Sequence, residues 1–255
     1  MWSEMRKDLL VELSYRLDLI LSFVLWILIF LGSMLLVGGG QITPVLLASA
    51  ALGFVLTSYA GDIMQYMTSH VEAAARAGTL EQLYLSIVPA RVLMLAKMMG
   101  ALIISTVSLL LSGVVLMAFT ELRLAFKWEA IPVVILTWLG LFGFGYIVAA
   151  GTLLFKQIGS ASSILIGMLY FVNGTYIPLE TLSPTLSILG RLLPAGQGII
   201  VLRAIVLEGR TLGDVLGDGS AVFLIVHSTI LFALGWKIFG WAETIAKQRG
   251  SLGQY

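Results

Sequence analysis

Few side chains in this sequence are of the kinds that make and break bonds, and their spacing excludes most familiar chemistries. The two histidines, His70 and His227, stand in different segments. His227 has no acidic residue in the apolar run around it, so packing or hydrogen bonding suits it better than metal ligation. Cysteine is absent, which removes disulfide frameworks, thiol nucleophiles and thiolate metal sites together. The chain contains no Gly-x-x-x-x-Gly-Lys-Ser/Thr phosphate loop, no His-Glu-x-x-His zinc motif and no Gly-x-Ser-x-Gly nucleophile turn. Asn173-Gly174-Thr175 matches a glycosylation acceptor, but at the end of an apolar run it reads as coincidence. No catalytic residue, metal ligand or bound cofactor is expected of this chain.

A shortage of charge dictates the elements that hold these residues. Asp, Glu, Lys and Arg make up 11% of the 255 residues, against about 25% in soluble domains. The mean hydropathy is +1.00. A water-soluble globule and a disordered chain are both excluded. With a net charge of +1 there is no basic field for a nucleic acid. Residues 19–61 carry no charge, enough for two helical crossings at roughly 20 residues each. Gly38, Gly39 and Gly40 divide that run, and Thr43 and Pro44 suit the start of the next helix. Further uncharged runs cover 98–120, 130–155, 157–179 and 219–236, and Lys156 with Gln157, Gly159 and Ser160 marks a short turn.

The expected fold class is an all-α membrane protein in one domain, residues 1–255, with six transmembrane helices near 19–37, 42–61, 98–120, 130–155, 161–179 and 219–241. No carboxylate falls inside those spans. Proton relays need ionisable groups at that depth despite a cost of about 2.5–3.5 kcal/mol each, so proton-coupled transport is disfavoured.

Orientation follows from the basic residues. With the N-terminus inside, the inner side collects Arg6, Lys7, Arg16, Arg76, Arg91, Lys97, Lys156, Lys237, Lys247 and Arg249. The outer side holds only Arg123, Lys127, Arg191, Arg203 and Arg210, so both termini are expected in the cytoplasm. Residues 1–18 place Trp2, Met5, Leu9, Leu13 and Leu17 at helical spacing, an amphipathic helix for the membrane interface rather than a signal peptide.

Two polar intervals stand out. Within 62–97, His70, Glu72 and Arg76 continue the second span beyond the lipid, and Gly78 ends it. Thr79 with Gln82 forms a capping box for a short helix with Leu80, Leu83 and Tyr84 on its apolar side, broken by Ser86 and Pro89. An ordinary loop with one helical turn accounts for that pattern equally well. Within 180–218, Leu182, Leu186, Leu189 and Leu193 recur at helical spacing, Pro194 and Gly196 interrupt, and 199–207 forms a second apolar piece. Such pieces suit short re-entrant or interfacial helices before the last span.

The order of these features resembles the ATP-binding-cassette (ABC) type-2 permeases, over essentially the whole chain. Gly78-Thr79-Leu80-Glu81-Gln82-Leu83, followed by Ser86, Pro89, Arg91 and Lys97, is similar to that family's cytoplasmic segment. Ile177-Pro178-Leu179, Leu182-Ser183-Pro184, Leu192-Leu193-Pro194 and Arg203 are similar to its stretch between spans five and six. The resemblance implies a dimer, with a second copy or a related permease, that engages two separate ABC ATPase subunits carrying ATP and Mg. It implies that Gly78, Thr79, Leu80, Glu81, Gln82, Leu83, Tyr84 and Arg91 form the ATPase-coupling segment, with the N-terminal helix as a second contact. It further implies export across the cytoplasmic membrane of a prokaryote, with Phe54, Tyr59, Met168, Tyr170 and Phe171 along the pathway and Pro178, Pro194 and Arg203 at an external gate. Ala195-Gly196-Gln197 departs from the bulkier residues common in relatives and leaves the shape of that gate open.

Aromatic residues on spans two and five suit a hydrophobic or amphipathic cargo (a drug, antibiotic, lipid or lipid-linked glycan), and they suit helix packing equally well. The alternative is an ion-coupled secondary transporter or channel acting without an ATPase. An intramembrane enzyme or assembly factor would need a polar dyad at depth, and none is visible.

Overall fold

In this computed structural model the described residues are 16–41, 43–76, 88–120, 127–155 and 159–248. Among them every regular element is helical: α1 (Arg16–Val37), α2 (Pro44–Arg76), α3 (Ala90–Phe119), α4 (Ala130–Phe155) and α5 (Gly159–Val172). A 3-10 turn (Leu179–Thr181) follows, then α6 (Pro184–Leu192), α7 (Gly196–Val206), α8 (Leu212–Gly217) and α9 (Ser220–Gln248). A helix satisfies its backbone groups internally, which is what an apolar sequence surrounded by hydrocarbon requires.

The boundaries have local causes. Helix α1 closes in a Schellman arrangement: Gly40 N–H donates to Leu35 O at 2.7 Å and Gly39 N–H to Leu36 O, with Gly39 at φ 61°. Thr43 Oγ1 then accepts from Leu46 N–H at 3.3 Å, and Pro44 occupies the first turn of α2, where its missing N–H costs nothing. Pro89 stands at the N-cap of α3.

Helices α2, α3, α4 and α9 are each long and apolar enough to cross a membrane. Helices α6 and α7, bent by 94° against one another, make a fifth candidate as a broken span or re-entrant loop. Among the described residues that is four or five candidates, where the sequence predicts six. The difference lies in α1 and α5. The apolar stretch of α1 is described from Val24 to Val37. Helix α5 has 14 residues, about 21 Å at 1.5 Å per residue, against a hydrocarbon core of about 30 Å. It stops at Val172 instead of running to residue 179, because Asn173-Gly174 turns the chain, with Gly174 at φ 77°. Helix α2 continues past the span through His70, Glu72 and Arg76, as expected: its 33 residues extend about 50 Å.

Helices α2 and α4 form the centre, while α3 and α9 leave most of their apolar windows uncovered. Met64, Met67, Met94, Met98, Tyr146 and Phe239 lie in the main buried cluster, and Phe30, Met34, Leu47, Phe54, Tyr170 and Tyr176 in a second one. Small residues let α4 and α9 meet. A Cβ at Gly143 would overlap the backbone of Leu231 and Phe232, one at Gly235 would overlap Gly143, and one at Gly140 would lie 3.1 Å from Ser228 Oγ. Residues 1–15 of the interfacial helix expected at 1–18, and residues 156–158 of the expected turn, lie outside the described residues.

Candidate functional site

Gly78, Thr79, Leu80, Glu81, Gln82, Leu83 and Tyr84 lie outside the described residues. Arg91 is described, in the first turns of α3. Its guanidinium lies over the Trp236 ring at 5.6 Å and 3.9 Å from Glu243, which also pairs with Lys247 at 2.7 Å. The Arg91 carbonyl accepts from the Tyr146 hydroxyl at 2.6 Å. A Cβ at Gly240 would collide with the guanidinium, so the glycine makes room for it. These contacts fasten α3 to α4 and α9 at the end nearest the 77–87 segment. The ion pair is partly exposed and adds about 0–1 kcal/mol.

A polar seam joins α2, α5 and α7. Arg203 on α7 has a relative exposure of 9%. It donates from Nε and Nη2 to Ser49 O at 3.0 and 2.9 Å, and from Nη2 to Thr175 O at 2.8 Å. Its bonded partners are carbonyls, with no carboxylate among them. Below this knot, the Thr57 and Thr175 hydroxyls lie 2.6 Å apart, Ser58 Oγ and Tyr170 Oη 3.1 Å, and Thr68 Oγ1 and Ser162 Oγ 3.0 Å. Gly53 permits the close approach, since a Cβ there would lie 2.5 Å from Thr175 O and 2.9 Å from Arg203 Nη2. These buried, bonded hydroxyl pairs hold α2 in one register against α5 and the turn after it.

The pathway residues divide into three groups. Phe54 and Tyr170 are buried in mutual contact at 5.7 Å, with Trp26 packed on both. Tyr59 turns the other way, edge-on to Trp138 at 5.4 Å and bonded to Thr106 at 3.0 Å. Met168 and Phe171, at 57% and 73% exposure, project from the opposite face of α5. Five residues on two helices therefore supply one aromatic contact, one inward tyrosine and one outward apolar edge. Helical phase sets this division, because positions three or four apart share a face and adjacent ones do not.

Of the gate residues, Pro178 is the N-cap of the 3-10 turn and Pro194 lies in the bend between α6 and α7. The departure at Ala195-Gly196-Gln197 has a steric reason. Ala195 is fully buried, a Cβ at Gly196 would overlap the Gly190 carbonyl, and Gln197 Nε2 donates to Ser220 O at 3.0 Å. Bulkier residues do not fit this bend. His227 reaches from α9 to Leu192 O at 3.0 Å and stacks on Phe223. The Asn173 side chain is fully buried, so it is closed to modification. Among the described residues no group of three or more His, Asp or Glu is placed to hold a metal.

Sequence reasoning missed Ser49, Thr57 and Thr175 as partners of the arginine and of each other. Their signal is weak, since hydroxyl residues in apolar helices usually bond to their own helix. It also missed the capping box at the start of α8, where Thr211 accepts from Asp214 N–H at 3.3 Å and Asp214 accepts from Thr211 N–H at 2.8 Å. No protein-family model matches the chain, and no curated protein matches it.

Proposed function

We propose that this chain is the membrane-spanning permease subunit of an ATP-driven ABC exporter, embedded in the cytoplasmic membrane of a prokaryote. It works as a dimer with a second copy or a related permease, and two separate ATPase subunits bind and hydrolyse ATP with Mg. Its cargo is hydrophobic or amphipathic. The observation that carries this reading is the reach of α2. One 33-residue helix holds the Arg203–Thr175 knot near one end and leads at the other into the 77–87 segment with its Gly-Thr-Leu-Glu-Gln-Leu sequence. A rigid rod that long transmits displacement at one end to the other, and the hydroxyl seam makes α5 move with it. Closure of the ATPases would push on 77–87, tilt α2 and loosen the knot beside Pro178 and Pro194.

Glu81→Lys tests the assignment at the driving end. It should abolish cargo-stimulated ATP hydrolysis in the reconstituted complex while leaving the amount of chain in the membrane unchanged. Unaltered stimulation in that variant would remove 77–87 from the coupling role.

A further inference from the structure

The bonds from Arg203 to Ser49 O and Thr175 O use every N–H on Nε and Nη2. Both hydrogens on Nη1 are left without a partner among the described residues, and Nη1 is not sealed from the surface. The peptide carbonyls stabilise the guanidinium but leave its formal charge in place. Glu180, whose charge is felt at Arg203, is paired with Arg191 at 3.9 Å and makes no hydrogen bond to the guanidinium. Ser49, whose carbonyl Arg203 grips, is itself half-buried, and its hydroxyl also has no hydrogen-bond partner among the described residues. A nearly buried cation without a counter-charge is costly. Open donors beside that charge are what an oxyanion site requires.

The depth of Arg203 points to which oxyanion it meets. Ser49 lies five residues into α2 from Pro44, or about 7–8 Å along the helix at about 1.5 Å per residue. The Gly38–Gly40 turn just before it joins two apolar helices, so it belongs at a membrane surface. A bilayer about 40–45 Å thick has a hydrocarbon core of about 30 Å, which leaves about 5–8 Å for the headgroups on each side. Arg203 is therefore at the base of the headgroup layer, where phosphate is the oxyanion that the membrane itself presents. We propose that Arg203 Nη1 and the Ser49 hydroxyl bind the phosphate of a bilayer phospholipid. This rests on the chain being membrane-embedded and not on its coupling to an ATPase.

The test follows guanidinium nitrogen resonances of the full chain, labelled at arginine and purified in a maltoside detergent that carries no phosphate. Arg203 is recognised by slow hydrogen exchange, because its Nε–H and Nη2–H groups are buried against carbonyls. Dihexanoylphosphatidylglycerol should shift the Arg203 Nη1 resonance saturably, while uncharged dioctanoylglycerol at the same concentration leaves it in place. Ser49→Ala, which keeps the Ser49 carbonyl, should weaken that binding about threefold, and Arg203→Gln at least about tenfold. An Nη1 resonance indifferent to the phospholipid overturns the proposal, and that arm does not depend on either variant folding. An equal shift with dioctanoylglycerol would reflect contact with tails alone and overturns it as well. An equal shift with inorganic phosphate at the same concentration would make free phosphate the ligand and overturn the lipid. Loss of ATPase coupling with this binding intact would instead count against the transport reading alone.

Discussion

Arg203 carries a full charge into a nearly buried position and neutralises it with peptide dipoles. Arg203→Met would leave the Ser49 and Thr175 carbonyls without their charged donor. The expected loss is about 2–6 kcal/mol, given about 1–3 kcal/mol for each of the two buried groups. Thermal unfolding of the detergent-solubilised chain should show it as a lowered Tm, with Arg203→Lys recovering part through a single ammonium. A surface residue gives the pH prediction. Asp218, outside the long helices, accepts from Ser220 N–H at 2.8 Å and pairs with Arg210, and these partners hold its pKa down to about 2. A depressed carboxylate stabilises the fold above its unfolded value, near 3.9, and loses that contribution as pH falls through the folded value. The junction of α8 and α9 should therefore be unaffected down to pH ~4 and loosen only toward pH ~2. The carboxyl carbon resonance of Asp218 would report this, and titration near an ordinary aspartate value would contradict the bonding.

At the scale of elements, the packing of α4 on α9 depends on small residues where the backbones meet. Gly235→Leu should force the two helices apart, costing about 1–3 kcal/mol or more and lowering the Tm of the solubilised chain. A Tm equal to that of the unsubstituted chain would mean that the backbones do not approach at this point. How far these elements were legible in the sequence depends on the range of the interaction. The turn at Gly38–Gly40, the helix start at Pro44 and the bend at Pro194 follow from residues that act on their own backbone. The short α5 was misread because an uncharged run does not distinguish apolar helix from apolar turn, and Asn173-Gly174 decided it. The expected pathway residues fall on different faces of their helices, because shared helices do not imply a shared face. Arg203 was visible as an isolated charge, but Ser49 and Thr175 are its partners only through the tertiary path of three helices.

For the whole molecule, the layout places the rigid core and the uncovered surfaces apart. Helices α2 and α4 are enclosed, whereas α3, α9 and the Met168–Phe171 edge of α5 present apolar side chains outward. In a membrane those surfaces meet lipid or a second subunit, and the enclosed α2 leads from the polar seam to the 77–87 segment proposed for coupling. As the permease subunit proposed, the chain should move cargo only when an ATPase drives it. The decisive experiment reconstitutes the purified chain in liposomes with and without the soluble phosphate-loop ATPase proposed as its partner and follows a fluorescent amphipathic cargo. The account predicts movement that requires the ATPase, ATP and Mg together and is indifferent to imposed proton or sodium gradients. Movement driven by an ion gradient in liposomes holding this chain alone would contradict it.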